Sequence, residues 1–562
     1  MASLTTSHVR GATEAVLIEQ SLGAYLETAA RRWPAREALV VRHQAVRWSY
    51  AELNRRAEDF AAGLLALGLN PGERVGIWSP NNAEWIVSLL ACAKAGLILV
   101  CMNPAYRLAE IDYALNKVGC AALITAVAFR SSDYVAMLNT LLPELAASAP
   151  GQLNAAAVPS LRHLITIGPE TAPGFTRFDA VATMATVEHR ARLKTLVADS
   201  RAEDPLTILF TSGTTGAPKG ATLSHRNILN NGLFMGGVCG MSEGDRMCVP
   251  VPLFHVGGMV CGVMCCLTRG ATMVFPAEWF DPLATLEAIQ EEACTAIIAV
   301  PTILIALLNH PDFARFDLST MRTGVTGGSP VPIEIMKRCI AEMNLRHLTI
   351  IFGMTETGGT CMQTATDDTL ERRTASIGRV HPHLEVKVVD AEGNTVPPGT
   401  SGELCVRGYS VMLGYWDDAA KTAEAIDAEG WMHTGDLGVL DAEGYGSIVG
   451  RIKDMVIRGG ENIYPAEIEN FLYRHPAIAT AQVFGVPDDR FGEELCAWLC
   501  LKPEAEATEE EIRTFCRGQI AHFKIPRYIR FVTEFPTTPS GKVQKFAMRA
   551  AMIEALGLAS KS

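Results

Sequence analysis

The stretch LTILFTSGTTGAPKG, residues 206–220, joins an apolar segment to a loop rich in glycine and hydroxyl groups. Residues 206–210 have the pattern of a buried strand, and a helix is predicted over 225–234 with Ser224 as its N-cap. Glycines allow such a loop to turn its backbone N–H groups towards an anion, and hydroxyls and a lysine add donors. The residues that we expect to bind phosphate are Thr211, Ser212, Gly213, Thr214, Thr215, Gly216 and Lys219.

Two common nucleotide-binding motifs do not fit this loop. In a Walker A motif a glycine directly precedes the lysine and a hydroxyl residue follows it, whereas two residues separate Gly216 from Lys219 and Gly220 follows. No G-x-G-x-x-G pattern follows a predicted strand either. Kinase-type and dinucleotide-binding functions therefore have no motif support.

Short apolar runs alternate with helical patterns on both sides of the loop. The predicted strands cover 74–78, 97–101, 271–275, 296–300 and 347–352, and the predicted helices cover 82–95, 257–267, 282–293 and 332–343. This alternation is typical of parallel sheets covered by helices. Beyond residue 385, short strands between glycine and proline turns predict a small antiparallel unit, and a compact α+β unit follows residue 454. We therefore expect an α/β protein with a small α+β C-terminal unit.

Composition excludes several classes. The 562 residues are 48% hydrophobic and 20% charged, which is typical of a globular protein and not of a disordered one. A net charge of −12 argues against sequence-independent binding of nucleic acid. The basic segment 524–562 suggests either contact with a small anionic ligand or a solvated tail. Fifteen cysteines without a C-x-x-C pattern indicate neither a disulfide scaffold nor structural zinc.

The first residues lack the apolar core of a secretory signal, and no apolar stretch is long and uncharged enough to predict a membrane span. We therefore expect a cytoplasmic protein without an integral membrane segment. The sequence leaves a homodimer open.

The loop TSGTTGAPKG, residues 211–220, resembles the phosphate loop of the adenylate-forming superfamily of acyl-CoA synthetases, luciferases and peptide-synthetase adenylation domains. Further motifs follow in the order of that superfamily: FGMTET at 352–357, HTGD at 433–436, GRIKD at 450–454 with GGENIYP at 459–465, and PSGK at 539–542. Stretches such as GYSVMLGYW and IRGGENIYPAEIE most resemble medium-chain fatty acyl-CoA ligases. The resemblance covers nearly the whole chain.

The resemblance implies two domains and two half-reactions. Residues 1–450 would bind ATP and the acid, and residues 451–562 would form a mobile lid that carries the catalytic lysine. ATP and a carboxylic acid would give acyl-AMP and pyrophosphate, and CoA would then displace AMP. The protein would mainly position the reactants and neutralise charge at phosphorus.

The resemblance also assigns residues to the nucleotide. Lys219 and the loop hydroxyls would hold the β- and γ-phosphates, and Thr355 would bind the α-phosphate. Glu356 would be the Mg²⁺ ligand, since a carboxylate oxygen suits this hard ion. Read without the motif, Glu356 would more often be a surface charge, but it follows an apolar strand, where ligands gather in parallel sheets.

Further residues would hold the ribose and the adenine. Asp436 would accept hydrogen bonds from both ribose hydroxyls, and Arg451 would reach the same sugar. Gly327 and Gly328 belong to a segment that would pack on adenine and substrate. Phe352 stands where the family usually has a tyrosine stacked on adenine, so that stacking is kept while the phenol hydrogen bond is lost.

Lys542 is the residue that we expect to bridge the carboxylate and the α-phosphate during adenylation. Lys453 matches the hinge about which the C-terminal domain would rotate between half-reactions, although the family often has an aspartate there. The rotation would withdraw Lys542 and bring Gly459 and Gly460 to the CoA channel.

His255, in PLFHVGG, matches a position beside the acyl pocket, and a satisfied core histidine is an equally good reading. Amino-acid-activating relatives carry an aspartate at this position, so that an amino-acid substrate is disfavoured. The expected substrates are a medium-chain fatty acid or, alternatively, an aryl or another short apolar acid, together with ATP, Mg²⁺ and CoA.

The rival class is a serine hydrolase, because GMSEG at 240–244 fits G-x-S-x-G. A helical stretch precedes this segment and a strand is predicted over 247–253, the reverse of a nucleophile elbow, so we interpret it as a turn. A non-catalytic nucleotide-binding protein is disfavoured by the joint presence of Lys542, Glu356 and Asp436. A peptide-synthetase module is disfavoured because no carrier domain fits after Lys542.

Overall fold

The computed structural model describes residues 4–169, 172–211, 218–329, 331–459, 461–538 and 543–558. The described strands are β1 (His8–Arg10), β2 (Glu37–Val41), β3 (Val46–Ser49), β4 (Arg74–Trp78), β5 (Ile98–Cys101), β6 (Cys120–Ala126), β7 (Ala128–Phe129), β8 (Ser132–Asp133), β9 (His163–Ile167), β10 (Phe175–Arg177), β11 (Pro205–Thr211), β12 (Lys219–Ser224), β13 (Arg246–Cys248), β14 (Thr272–Phe275), β15 (Ala296–Ala299), β16 (Thr323–Gly327), β17 (His347–Phe352), β18 (Met362–Gln363), β19 (Arg379–Val380), β20 (Leu384–Val389), β21 (Gly402–Gly408), β22 (Gly414–Tyr415), β23 (Met432–Leu440), β24 (Gly446–Arg451), β25 (Val456–Arg458), β26 (Glu461–Ile463), β27 (Ile478–Asp488), β28 (Gly492–Leu501) and β29 (Tyr528–Phe531).

The described helices are α1 (Leu22–Arg32), α2 (Tyr50–Ala66), α3 (Ala83–Ala95), α4 (Leu108–Val118), α5 (Tyr134–Leu141), α6 (Phe178–Thr183), α7 (Val187–Asp199), α8 (His225–Val238), α9 (Cys265–Arg269), α10 (Pro282–Glu291), α11 (Pro301–Leu308), α12 (Ile333–Glu342), α13 (Leu370–Ala375), α14 (Ala419–Ala425), α15 (Pro465–Leu472), α16 (Glu509–Cys516) and α17 (Lys545–Ala555). A π-helical segment, Gly257–Met264, runs directly into α9.

Two largely parallel sheets form the centre of the molecule. Sheet A has the order β10-β9-β6-β4-β5-β11-β12-β22, and sheet B has the order β19-β18-β17-β16-β15-β13-β14-β2-β3. Their central strands pair in parallel, whereas β12 and β22 are antiparallel additions at one edge of sheet A. Strands such as β5 and β14 are buried along their whole length, as expected for sheets with helices on both faces.

Two smaller sheets follow in the second part of the chain. Sheet C is antiparallel, with the order β1-β20-β21-β23-β24. Sheet D has the order β26-β25-β28-β27, with β29 paired in parallel to β28, and α15 and α17 pack on it. A separate apolar core lies beneath sheet D and includes Val456, Leu472 and Leu499.

The predicted α/β class is confirmed, and several elements have the expected bounds. Strands β4 and β17 cover the predicted residues, and the helix predicted over 82–95 begins after its N-cap, Asn82. The strand predicted over 247–253 is wrong in its length, because β13 ends at Cys248. Pro250 and Pro252 follow, and a proline has no N–H to donate to a neighbouring strand. Among the helices of the described residues, none is both long and apolar enough to cross a membrane.

Candidate active site

The two ends of the glycine-rich loop meet a turn that is distant in the sequence. Thr211 ends β11, Lys219 begins β12, and Glu356 follows β17 in a short turn, Thr355–Thr357. Thr211 Oγ1 donates to Glu356 Oε1 at 3.3 Å, which joins the edge of sheet A to that of sheet B. Two of the predicted phosphate-binding residues, Thr211 and Lys219, therefore lie near the predicted magnesium ligand, at the edge where β11 and β17 end.

Tyr415 completes this group from β22. Its hydroxyl donates to Glu356 Oε1 at 2.9 Å, and the Lys219 Nζ atom lies 4.3 Å from the centroid of its ring. Burial, together with the charge of Glu356, raises the pKa of Tyr415, so that its hydroxyl keeps its proton and donates. We call Thr211, Lys219, Glu356 and Tyr415 the carboxylate cluster.

Tyr415 was missed by the sequence-based prediction. It belongs to the stretch GYSVMLGYW that supported the family resemblance, but no local pattern links it to Glu356, which is 59 residues away in the chain. Its placement results from the antiparallel pairing of β22 with β12, in which Tyr415 faces Ala221.

Thr355 and Glu356 are both buried, with 8% and 5% of their surface exposed. The turn is fixed from two sides, because the Met354 N–H donates to Thr357 Oγ1 at 3.0 Å and the Met412 N–H donates to the Glu356 carbonyl at 2.9 Å. The burial of Glu356 therefore excludes the alternative interpretation of this residue as a surface charge.

A second polar group lies on sheet C. Asp436 on β23 faces Arg451 on β24, and Arg451 Nε lies 2.8 Å from Asp436 Oδ1. The Asp436 carboxylate is only 7% exposed. Burial and, to a smaller extent, the Asp436 charge raise the pKa of Cys361 to about 12, and Cys361 Sγ lies 3.5 Å from the carbonyl of Phe352. Cys361 thus lies within electrostatic range of the predicted ribose carboxylate and against the backbone of the predicted adenine-stacking residue.

Lys453 lies near both groups. Its side chain as a whole is exposed, yet partial desolvation of its ammonium and the nearby Arg451 charge lower its pKa. Asp436 and Lys219 also act on this ammonium through their charges. The charges of two predicted ATP-binding residues, Asp436 and Lys219, therefore reach the predicted hinge residue in this structure.

His255, which is predicted to lie beside the acyl pocket, comes just before the π-helical segment. His255 is exposed, and its Nδ1 accepts the Gly257 N–H at 3.1 Å, so the reading as a core histidine is wrong. Gly359 faces the same segment, since a Cβ at Gly359 would lie 3.6 Å from both Cys261 Sγ and Val260 Cβ. A methyl group at Gly359 would thus be in van der Waals contact with small apolar side chains of this segment.

Gly327 ends β16 and is buried, whereas Gly328 is exposed with φ at +82°. A Cβ at Gly327 would lie 2.4 Å from the carbonyl oxygen of Ile351 on β17, so that only glycine allows these strands to approach as they do.

Several predicted residues lie outside the described part of the chain. They are Ser212, Gly213, Thr214, Thr215, Gly216, Gly460 and Lys542. Gly459 is described: it is exposed, has φ at +61°, and donates its N–H to the Phe491 carbonyl at 2.8 Å. The roles of all these residues stay predictions.

The segment around Ser242 has the geometry of a turn. The Ser242 N–H and hydroxyl both donate to Asp245 Oδ2, at 2.8 and 3.0 Å, between α8 and β13. A nucleophile elbow requires a preceding strand and a following helix. The serine hydrolase reading is therefore not supported.

Comparison with known proteins agrees with the motif series. Residues 26–416 match the family model "AMP-binding enzyme", and residues 467–542 match "AMP-binding enzyme C-terminal domain". The chain is 44% identical over 558 residues to the medium-chain acyl-CoA ligase ACSF2 of human mitochondria, covering 98% of this chain and 91% of that protein. It is 43% identical to the putative acyl-CoA synthetase YngI of Bacillus subtilis, covering 97% and 100%.

Solved structures give the same result. An anthranilate CoA ligase, AuaEII, in complex with anthranoyl-AMP matches with a TM-score of 0.84 at 27% identity, covering 97% of this chain and 99% of that one. ATP-bound MatB from Rhodopseudomonas palustris matches with a TM-score of 0.81 at 29% identity, covering 95% and 100%. The predicted superfamily and the prediction of an ATP-dependent acid–CoA ligase are confirmed.

The expected cytoplasmic location is wrong by the same comparison, because the ACSF2 relatives from several animals are mitochondrial enzymes. The expectation rested on the lack of a secretory signal. That feature does not bear on mitochondrial import, which uses amphipathic, arginine-rich segments. With matches to both of its domain models and to relatives along almost its whole length, the chain belongs to the AMP-binding enzyme family.

Proposed function

We propose that this enzyme joins a medium-chain fatty acid to CoA in two half-reactions. A carboxylate oxygen attacks the α-phosphorus of ATP, giving acyl-AMP and pyrophosphate, and the CoA thiol then displaces AMP. The observation that carries the proposal is the carboxylate cluster, in which Lys219, Thr211 and the buried Glu356 meet at the ends of strands from both central sheets. A homodimer stays a prediction from the sequence.

The phosphates would occupy the carboxylate cluster. Lys219 supplies a cation and Thr211 a hydroxyl, and Thr355 lies in the adjoining turn towards the α-phosphate. Glu356 fits a magnesium ligand, because it is a buried carboxylate whose oxygen is already oriented by two hydroxyls. The ion would neutralise phosphate charge, while these residues hold the α-phosphorus in line with the attacking carboxylate.

The nucleoside would extend towards sheet C. The Asp436 carboxylate would accept hydrogen bonds from the ribose hydroxyls, and Arg451, paired with it at 2.8 Å, would fix its orientation and reach the sugar. Phe352, at the end of β17, would stack on adenine beside Gly328. The closeness of Asp436 to Cys361 and Phe352 supports this arrangement.

The C-terminal segment would act as a lid. We take residues 1–450 as the substrate-binding domain and 451–562 as the lid, with Lys453 as the hinge. Lys542 would stabilise negative charge at the α-phosphorus in the first half-reaction. Rotation would then replace it with Gly459 and Gly460, beside which the CoA thiol would enter. Support comes from the charges of Asp436 and Lys219, which both reach the ammonium of Lys453.

The acyl chain would lie between Gly359 and the π-helical segment. Val256, Val260 and Cys261 present small apolar side chains towards Gly359, and such a lining suits an alkyl chain rather than a charged one. The medium-chain preference is supported by the ACSF2 relatives at 44% identity. An aryl acid is the second candidate, since the similar structure AuaEII is an anthranilate CoA ligase.

A panel of acids tests the proposal. The enzyme would be incubated with ATP, Mg²⁺, CoA and acids from acetate to palmitate, with benzoate and anthranilate included. We expect AMP and pyrophosphate in equal amounts and the highest kcat/KM for alkyl acids of medium length. Formation of ADP, or turnover without ATP, would overturn the ligase mechanism, and a maximum at benzoate or anthranilate would overturn the substrate class.

A further inference from the structure

We propose that Glu403 is a positioning residue that holds the ribose-binding turn, residues 433–436, in the shape that presents Asp436. The inference rests on the proposed role of Asp436. Glu403 lies on β21, next to the turn on β23, and its carboxylate contacts the turn.

The pairing of β21 with β23 creates the need for such a residue. Glu403 faces Leu437, and Cys405 faces His433. Three residues of β21, 403–405, therefore lie opposite five residues of β23, 433–437. The extra residues on β23 form a bulge, and Gly435 in it has φ at +69°, in the left-handed region that favours glycine. A bulge leaves backbone groups without partners in the sheet.

Glu403 supplies those partners. Its Oε1 accepts the Gly435 N–H at 3.0 Å, and its Oε2 accepts the His433 Nδ1–H at 2.7 Å. A carboxylate accepts both bonds in its ionised form, so each oxygen fixes a different residue of the turn.

The rest of the turn is tied to the same strand. Thr434 Oγ1 donates to the Leu404 carbonyl at 2.7 Å and accepts the Asp436 N–H at 3.1 Å. Asp436 then leaves the bulge with its carboxylate against Arg451. The direction of the Asp436 carboxylate is thus set by a chain of contacts that begins at Glu403.

Glu403, Cys405 and His433 also place potential metal-ligand atoms within 4.8 Å of one another. Both Glu403 oxygens are already engaged by N–H donors, and burial raises the pKa of Cys405 to about 12, which keeps its thiol protonated. These contacts fit a hydrogen-bonded clamp better than a metal site, because a thiol binds metal as the thiolate.

The experiment compares ATP with dATP, which lacks one ribose hydroxyl. The preference for ATP, measured as the ratio of kcat/KM values in pyrophosphate release, depends on where Asp436 points. A hydrogen bond to a charged group corresponds to roughly a tenfold to hundredfold preference. We expect Glu403→Gln to lower that preference by about tenfold, because one amide cannot accept both N–H bonds.

Glu385→Gln is the matched control. Glu385 lies on β20 of the same sheet, is exposed to a similar extent (23% against 20% for the Glu403 side chain), and is bonded to His8 and Arg407 away from the turn. We expect the Glu385→Gln variant to prefer ATP over dATP as strongly as the wild type does. A purely structural effect of Glu403 would lower activity with ATP and dATP alike and would overturn the inference.

Asp436→Asn distinguishes the proposed ribose-binding role of Asp436 from the positioning role of Glu403. If Asp436→Asn keeps the wild-type preference, the proposed ribose role of Asp436 is wrong. If Asp436→Asn loses the preference while Glu403→Gln keeps it, only the positioning role of Glu403 is wrong. Should Glu403→Gln fail to fold, His433→Leu removes one of the two clamp bonds, and an unchanged preference in that variant would equally overturn the inference.

Discussion

Glu356 is a buried carboxylate whose side chain is held by two hydroxyls, those of Thr211 and Tyr415. Burying an ionised carboxylate is unfavourable, and hydroxyl donors offset only part of the lost hydration. At the scale of single residues, this is the feature that most favours a cation such as Mg²⁺ at the carboxylate cluster when ATP is bound.

Replacement of Tyr415 by phenylalanine tests this organisation. The variant loses the donor that orients Glu356 but keeps the ring beside Lys219. A hydrogen bond to a charged group contributes about 1.5–3 kcal/mol, so we expect the KM for Mg²⁺-ATP to rise by roughly tenfold or more. Titration of initial rates against Mg²⁺-ATP measures it.

Tyr445→Phe serves as the control for this variant, because Tyr445 likewise donates to a carboxylate, that of Asp368, away from the cluster. An equal rise of KM in both variants would show that the loss of any such bond disturbs ATP binding, contrary to the role assigned to Tyr415.

The sequence predicted the residues with a fixed place in a motif and missed those that only the fold brings together. Glu356, Asp436 and Arg451 were all predicted, and the structure adds that Asp436 and Arg451 form a cross-strand ion pair. Tyr415 and Glu403 were missed as site residues, because their contacts depend on strand pairing and on a bulge that no local pattern reveals.

At the scale of elements, three helices meet around one buried lysine. Lys94 on α3 is completely buried, and its Nζ lies 2.9 Å from Glu27 Oε1 on α1 and 3.3 Å from Glu58 Oε1 on α2. Both carboxylates are partly exposed, and their negative charges compensate the buried ammonium of Lys94 at the helix interface.

The double variant Glu27→Gln/Glu58→Gln would leave this ammonium uncompensated. We expect it to lower the free energy of unfolding by about 3–5 kcal/mol, and further replacement of Lys94 by methionine to recover most of that loss. Urea unfolding measures both, with Glu52→Gln on the exposed face of α2 as a control that costs about 1 kcal/mol or less. If Lys94→Met brings no recovery, packing rather than charge holds these helices.

Element bounds were predictable where apolar runs end in polar or turn-forming residues, as at β4 and β17. The helix predicted over 257–267 exists, but its first part, Gly257–Met264, is π-helical. Apolar periodicity does not distinguish a π-helix from an α-helix in so short and uniformly apolar a segment, whose residues are nearly all buried.

At the scale of the whole molecule, two buried histidines link stability to pH. Burial lowers the pKa of both His225 and His381 from the ordinary 6.5 to about 4. His225 Nδ1 accepts the Leu22 N–H at 3.0 Å, which a protonated ring could not do. Between pH 6.5 and pH 4 the unfolded chain therefore binds more protons than the folded one. The contribution of the neutral histidines to stability is fully present above pH 6.5 and is lost as the pH falls towards 4.

Each histidine should remove about 2 kcal/mol of stability between neutral pH and a pH near 5. The measurement is urea unfolding at both pH values for the wild type and for His381→Leu, in which the loss on acidification should be smaller by about this amount. Exposed His522, replaced by asparagine, should leave the pH dependence unchanged. An equal dependence in wild type and His381→Leu would contradict neutral burial of His381.

In the proposed mechanism, the Lys542 ammonium acts in the first half-reaction and is withdrawn from the second. The most direct measurement follows Lys542→Ala in each half-reaction alone: pyrophosphate release from ATP and a medium-chain acid without CoA, and acyl-CoA formation from supplied acyl-AMP and CoA. We predict that the first rate falls by on the order of a hundredfold to a thousandfold, while the second changes by less than about tenfold. Equal loss of both rates would show that Lys542 is not withdrawn between the half-reactions.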